Sequence, residues 1–109
     1  MLKKKYRLPK GAVFSKSESF SSPFFTLRIK NNKLGNSRFG FIVSKKIDKR
    51  AVVRNRIKRL IRSCIEKKLD DVIAGWDALF VIKKEIKDMS GDKICAQTLV
   101  ILKEKKLIK

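Results

Sequence analysis

The sequence predicts an α+β domain, and three observations carry that prediction. Two runs between residues 24 and 44 alternate apolar and polar side chains, the period changes to that of an amphipathic helix from about Arg50, and a further apolar run precedes a second helical segment. At 109 residues, with 43% hydrophobic residues, seven Phe and one Trp, the chain forms a single domain, residues 1–109, with enough apolar mass for a modest core.

In chain order, residues 1–12 are basic and carry Pro9 and Gly11, so they read as an arm or a short first element. The Ser-rich stretch SKSESFSS reads as a loop. In FFTLRIK, Phe25, Leu27 and Ile29 alternate with Thr26, Arg28 and Lys30, the period of a half-buried strand. NNKLGNS is a turn cluster, and RFGFIVS repeats the alternation with Phe39, Phe41 and Val43. The two runs are expected to pair antiparallel as a hairpin. Val53, Ile57, Leu60, Ile61, Cys64 and Ile65, and with them Leu69, form one stripe of a long helix. Gly75 separates it from WDALFVIK, a buried strand, and Ser90 introduces a final helix with Ile94, Cys95, Leu99, Ile101 and Leu102 near one side.

The formal net charge is +19, and it is unevenly placed. Residues 1–62 hold 19 Lys or Arg against Glu18 and Asp48, whereas residues 63–109 hold ten against eight acids. Nine of the cations fall between Lys45 and Arg62, with Asp48 the one acid among them. At 100° per residue, Asn55, Arg59 and Arg62 point away from the apolar stripe, Arg54 and Lys58 flank it on one side, and Arg56 on the other. Adjacent arginines at this density repel one another unless phosphates complete the surface, and the planar guanidinium fork suits phosphate oxygens. The pattern therefore points to nucleic acid. An interfacial membrane helix would leave its apolar face to lipid, but a domain this small needs that face for its core.

Catalysis by the chain itself is not expected. It has no His, and its basic region offers no carboxylate cluster to hold a metal. Asp70 and Asp71 read as a polar turn. Cys64 and Cys95 read as small core residues; the lack of CxxC, of a third thiol and of His argues against a disulfide or a metal site. No apolar run approaches the ~20 residues that span a bilayer, and the basic start lacks the apolar stretch of a signal peptide, so a cytoplasmic location is expected.

The segment VSKKIDKRAVVRNRIKRLIR closely resembles the signature of the protein subunit of bacterial ribonuclease P: a strand ending in SKK, a short loop, and a helix with an RNR core followed by IKR. The resemblance implies a small two-layer α/β sandwich, an antiparallel-rich sheet covered by the long basic helix and the C-terminal helix, with a left-handed βαβ crossover. It implies a protein that assists a catalytic RNA in removing the 5′ leader of precursor tRNA. Its partners would be the ribonuclease P RNA and precursor tRNA, with no membrane and no small-molecule substrate. The protein itself would bind no cofactor, and Mg²⁺ would enter through the RNA subunit.

Carried over by position, Arg54, Asn55 and Arg56 fill the RNR, Lys58, Arg59 and Arg62 continue its surface, and Ser44, Lys45 and Lys46 fill the SKK, with Lys49 and Arg50 in the loop between. The expected RNA-binding set is Lys45, Lys46, Lys49, Arg50, Arg54, Asn55, Arg56, Lys58, Arg59 and Arg62. The expected leader-binding cleft, between sheet and helix, comprises Phe14, Arg28, Arg38, Gly40 and Ser44. Gly40 would either let RNA approach the sheet or mark a bulge. The N-terminal part departs from the family pattern, because Lys10 and Arg28 stand where aromatic residues are usual, so weaker base stacking and greater salt sensitivity are expected. A ribosomal or other structural RNA-binding protein and a helix-based DNA-binding protein are the competing readings. The SKK…RNR spacing argues against the first, and the shortage of base-reading side chains against the second.

Overall fold

The computed structural model describes residues 4–9 and 17–109. Its strands are β1 (Glu18–Ser21), β2 (Phe25–Asn31), β3 (Arg38–Ile42) and β4 (Trp76–Ile82), and its helices are α1 (Ala51–Glu66) and α2 (Gly91–Glu104). Short 3-10 turns lie at Lys4–Tyr6, Leu69–Asp71 and Lys84–Asp88.

The strands form one sheet in the order β1-β2-β4-β3. β2 pairs antiparallel with β1 and β4, while β3 runs parallel to β4. This corrects the expected β2–β3 hairpin. The parallel β3–α1–β4 unit brings β4 between the two runs, and β4 suits the centre because it is apolar on both faces: Ala78, Phe80 and Ile82 on one, Leu79 and Val81 on the other. A second correction concerns the Ser-rich loop, which contains β1. Only Phe20 there is apolar and turned inward, opposite Leu27, so ladder hydrogen bonds rather than a side-chain pattern define the strand.

Phe25, Leu27, Ile29, Phe39, Ala78, Phe80 and Ile82 meet Ile57, Ile61, Ile65, Ile94, Ile101 and Leu102 in one core, which places both helices on that face of the sheet. Phe80 anchors the layer, edge-on to Phe25 at 5.3 Å and stacked on Phe41 at 5.6 Å. α1 begins at Arg50 with no side-chain cap and no acid in its first turn, so its stability comes from packing. Burying each of Ile57, Ile61 and Ile65 is worth ~1.5–3 kcal/mol. Leu69 falls beyond the helix, in the 3-10 turn. α2 is capped conventionally: the Ser90 hydroxyl oxygen accepts from the Lys93 N–H at 3.2 Å.

Cys64 and Cys95 are joined by a disulfide between α1 and α2, with Cα atoms 5.5 Å apart. This corrects the reading of two separate core residues. Their 31-residue spacing bears no sign of the pairing, which arises only because the two helices pack side by side.

Candidate nucleic-acid interface

The loop Ser44–Arg50 that leads into α1 is built around its one acid. Asp48 is buried, and its carboxylate accepts from the Arg50 backbone N–H at 2.9 Å, from Arg50 Nε at 3.1 Å and Nη2 at 3.0 Å, and from Lys87 Nζ at 2.9 Å. Hydrogen bonds from the Arg50 side chain, then from its backbone, then from Lys87 hold the carboxyl far below the usual carboxylate range. Arg54, the first residue of the RNR, folds back and donates to the carbonyls of Asp48 at 2.9 Å and Lys49 at 2.8 Å. Two of the expected RNA ligands, Arg50 and Arg54, therefore fix the loop. Ser44, Lys45, Lys46 and Lys49 stand exposed on it.

On α1 the periodicity holds. Val52, Asn55, Lys58, Arg59 and Arg62 line one shallow depression on its outward side, with Asn55 and Arg59 exposed. Arg56 lies on the opposite flank, in a crevice shared with Lys87 and Met89. With no acid in the first turn of α1, the positive end of the helix dipole adds to these charges. Arg62 is half-buried, its Cζ 5.5 Å from the centre of the Phe41 ring. Burial first, and then the charge of Arg7, lower its pKa from the usual guanidinium value.

The proposed cleft residues take a different course. Ladder register places Arg28, Leu79 and Gly40 in one row across the sheet, and Lys30, Asp77 and Arg38 in the next, on the face opposite the helices. α1 therefore lies across the sheet from them. Arg38 grips buried Asp77 at both oxygens, Nε to Oδ1 at 2.8 Å and Nη2 to Oδ2 at 2.7 Å, and Asn32 adds a third donor at 2.8 Å. Burial alone would raise the Asp77 pKa; hydrogen bonds from Arg38 and Asn32, with the charges of Arg38 and Lys30, outweigh it and bring the pKa below the usual value. Arg38 is thus the internal partner of Asp77 as well as a member of this sheet face. At Gly40 a Cβ would lie 2.8 Å from Leu8 Cδ1 and 3.2 Å from Leu79 Cδ1, so the glycine makes room for the chain's own N-terminal segment. Arg28 is exposed. Phe14 and Lys10 lie outside the described residues.

Chemically, this surface is suited to anions, being rich in exposed cations. Asp48 and Asp77 are both paired with cations, and among the described residues no group of three or more His, Cys, Asp or Glu is placed to hold a metal ion. No helix among them is long and apolar enough to cross a membrane.

A family model described as Ribonuclease P matches residues 2–106. The chain belongs to the ribonuclease P protein family. A ribonuclease P protein component from Bacillus cereus is 34% identical over 107 residues, covering 94% of this chain and 92% of the relative. One from Microcystis aeruginosa reaches 51% over 49 residues, 45% of this chain and 41% of the relative. The solved Staphylococcus aureus RNase P protein is 30% identical with a TM-score of 0.87, over 95% of this chain and 98% of that one. The fold also matches the Thermotoga maritima RNase P protein, at a TM-score of 0.77 and 22% identity over 84% of this chain and 86% of that one. Ribonuclease P proteins are components of a ribonucleoprotein endoribonuclease of tRNA processing, and membership makes this chain one.

Within this ribonuclease P protein, sequence reasoning missed Lys87 and Arg7. Lys87 closes the Asp48 cluster from 39 residues away, and Arg7 bridges alongside Phe39 at the sheet edge. Neither carries a local signal, since both owe their roles to chain segments that meet only in the fold.

Proposed function

We propose that the loop Ser44–Lys49 and the outward face of α1 bind the RNA subunit of ribonuclease P, and that the sheet face bearing Arg28 helps hold the 5′ leader of precursor tRNA. The observation that carries this is the arrangement of Asn55, Lys58, Arg59 and Arg62 around one depression, while Asp48, the acid of the region, is turned inward and already paired. The surface lacks counter-charges, and regularly spaced phosphates supply them. The roles divide accordingly: Arg50, Arg54 and Lys87 shape the loop, Lys45, Lys46 and Lys49 stand on it, and Arg56 and Arg59 reach outward. Hydrolysis and its Mg²⁺ belong to the RNA subunit in this reading, because the carboxylates nearest the basic surface are committed to cations. The chain works in the cytoplasm beside its RNA partners.

The test is reconstitution. A bacterial ribonuclease P RNA cleaves precursor tRNA at low Mg²⁺ with and without the protein. Strong rescue is expected, and it should disappear in an Arg56→Ala/Arg59→Ala variant, whose changes are on exposed side chains and leave the fold intact. A folded, RNA-binding protein that gives no rescue would overturn the reading.

A further inference from the structure

The two edges of the sheet are finished differently. β3, at one edge, is covered: the Leu8 N–H donates to the Phe39 carbonyl at 2.9 Å, and Arg7 bridges to Phe39 beside it. β1, at the other edge, pairs with β2 on its inner side and with no described segment on its outer side. Open strand edges are ordinarily guarded by lysine, proline or a bulge. Between Glu18 and Ser22 there is no Lys, Arg or Pro, and the register with β2 runs without a bulge.

Hydrogen-bond parity shows what this edge offers. The Ser22 N–H donates to the Phe25 carbonyl and the Lys83 N–H to the Phe24 carbonyl, both at 2.9 Å. Bonded pairs alternate with unbonded ones along an antiparallel ladder. Phe20 therefore turns its backbone groups toward β2, while Ser19 and Ser21 turn theirs outward. Those outward groups meet no partner among the described residues.

Beside the edge runs a groove between β1 and α2. Phe20 and Ile101 line it, with Val100, which is 56% exposed. Lys105 Nζ lies 4.1 Å from the centre of the Phe20 ring, which sets α2 over this edge, whereas Arg62 above Phe41 sets α1 over the other. The groove's charges are one acid, Glu104, and one base, Lys105, on a chain of net charge +19. RNA has no strand of backbone amides to pair with the edge and finds no excess of cations in the groove; a polypeptide strand suits both. Two copies of so basic a chain repel least where the charge is balanced.

We infer that the β1 edge is a self-association surface, on which a second copy of this chain pairs antiparallel about a two-fold axis at Phe20. In that register Ser19 of each copy lies opposite Ser21 of the other, and every outward N–H of these serines meets an outward carbonyl. The two Phe20 rings form a cross-strand pair on the groove side, flanked by the exposed Val100 of each α2. Glu18 lies opposite Ser22 of the other copy, whose carbonyl accepts from Lys83 Nζ at 2.7 Å, so an acid meets a cation at each end of the contact. The sheet becomes continuous across both copies and leaves each α1 at a far edge, open to RNA. This pairing stands apart from the proposed RNA binding and does not depend on it.

The full chain, without RNA, is followed by sedimentation velocity from about 10 µM to about 1 mM, the range of a small and weak interface. A monomer–dimer equilibrium is expected, and added salt should strengthen it by screening the repulsion between two basic chains. RNA binding responds to salt in the opposite direction. Ser19→Pro removes an outward N–H without touching the bonds to β2, and Val100→Lys sets like charges across the axis; each should raise the dimer Kd on the order of tenfold or more. A chain that stays monomeric throughout at high salt overturns the pairing, as does a dimer that both variants leave intact. A dimer that forms only when RNA is added is bridged by that RNA and overturns it too. Without any variant, the amide resonances of Ser19, Ser21 and Val100 in ¹⁵N-labelled protein should shift with concentration along one midpoint. Concentration-dependent shifts confined to α1 or to the loop Ser44–Arg50 would place the contact elsewhere and end the case for β1.

Discussion

Two stretches of this chain carry three arginines each and use them in opposite ways. Between residues 38 and 54, each arginine meets an acceptor inside the protein: Arg38 on Asp77, Arg50 on Asp48, Arg54 on the carbonyls of Asp48 and Lys49. Between residues 55 and 62, Arg56 and Arg59 reach solvent, and neither makes an ion pair with a described residue. The difference lies in the acceptors. Asp48 and Asp77 are buried carboxylates, which need a cation and a full set of donors, whereas the outward side of α1 has no carboxylate before Glu66. A count of positive charge therefore overstates an RNA surface. In the proposed function, the residues that bind are those the fold has left without an internal partner.

The sharpest way to break this comparison is to truncate one arginine of each kind. Arg38→Ala strands the Asp77 carboxylate in the interior with Asn32 as its remaining donor, and is expected to lower unfolding stability by about 3–5 kcal/mol in urea titration. Arg59→Ala is expected to leave stability within about 0.5 kcal/mol, and instead to weaken RNA binding on the order of tenfold with a salt slope lower by about one. If both variants lost stability, or both lost only affinity, the division into two kinds of arginine would fail.

Next in size is the bond on the inner side of α1. Reducing Cys64–Cys95 frees a 31-residue loop in the unfolded chain, worth about 3.7 kcal/mol by loop entropy. Thermal unfolding with and without dithiothreitol should show the loss. The salt slope of RNA binding should not move, because Ile57, Ile61 and Ile65 still seat the helix. A slope that changed on reduction would mean that the outward face depends on the inner bond.

Acid should undo the first region before the second. Both Asp48 and Asp77 have folded pKa values below those of the unfolded chain. Their stabilisation is complete above the unfolded carboxylate value of about 4 and is lost as pH falls from there through the folded values. Melting temperature should thus stay level between pH 5 and 7, by the same argument, and decline below about 4. Asp48→Asn should start lower and decline less. An equal decline in that variant would show that the loop charge cluster contributes nothing.

Much of this arrangement was legible in the chain. The stripe of Ile57, Ile61, Cys64 and Ile65 fixed α1 and its outward side, and the alternation in FFTLRIK and RFGFI fixed two strands and their buried faces. What escaped is whatever depends on which segments meet. β4 separates β2 from β3 because its two apolar faces favour the centre of the sheet, β1 is held by backbone bonds that its serines do not announce, and Cys64 finds Cys95 through helix packing. In the site, the outward positions of Asn55 and Arg59 could be read from periodicity alone, whereas Arg62, expected with them, is half-buried beside Phe41. The engagement of Arg38 and Arg54 could not, since Asp77 is 39 residues from Arg38, and the carbonyls that hold Arg54 come from how the loop folds. Gly40 shows the same limit: its missing side chain was visible, but Leu8, which fills the space, was not.

The smallest expected effect concerns a lysine that belongs to neither kind. Lys106 follows α2 with φ 61°, the left-handed region, because the chain turns there to close the helix. The Leu107 N–H donates to the Leu102 carbonyl at 2.8 Å and the Lys106 N–H to that of Lys103 at 3.1 Å, the pair of bonds that defines a Schellman ending. Glycine is the usual residue at this position, since a Cβ in that region costs roughly 1–2 kcal/mol. Replacing Lys106 with glycine removes this cost but raises the entropy of the unfolded chain, so a net gain of only a few tenths up to about 1 kcal/mol is expected in urea titration. Lys106 lies in the half of the sequence where acids nearly balance bases, so the salt slope of RNA binding should stay unchanged. If the slope fell by about one, the RNA footprint would extend to the end of α2, and the contrast between internally engaged and outward-facing cations would have to include the C-terminal region.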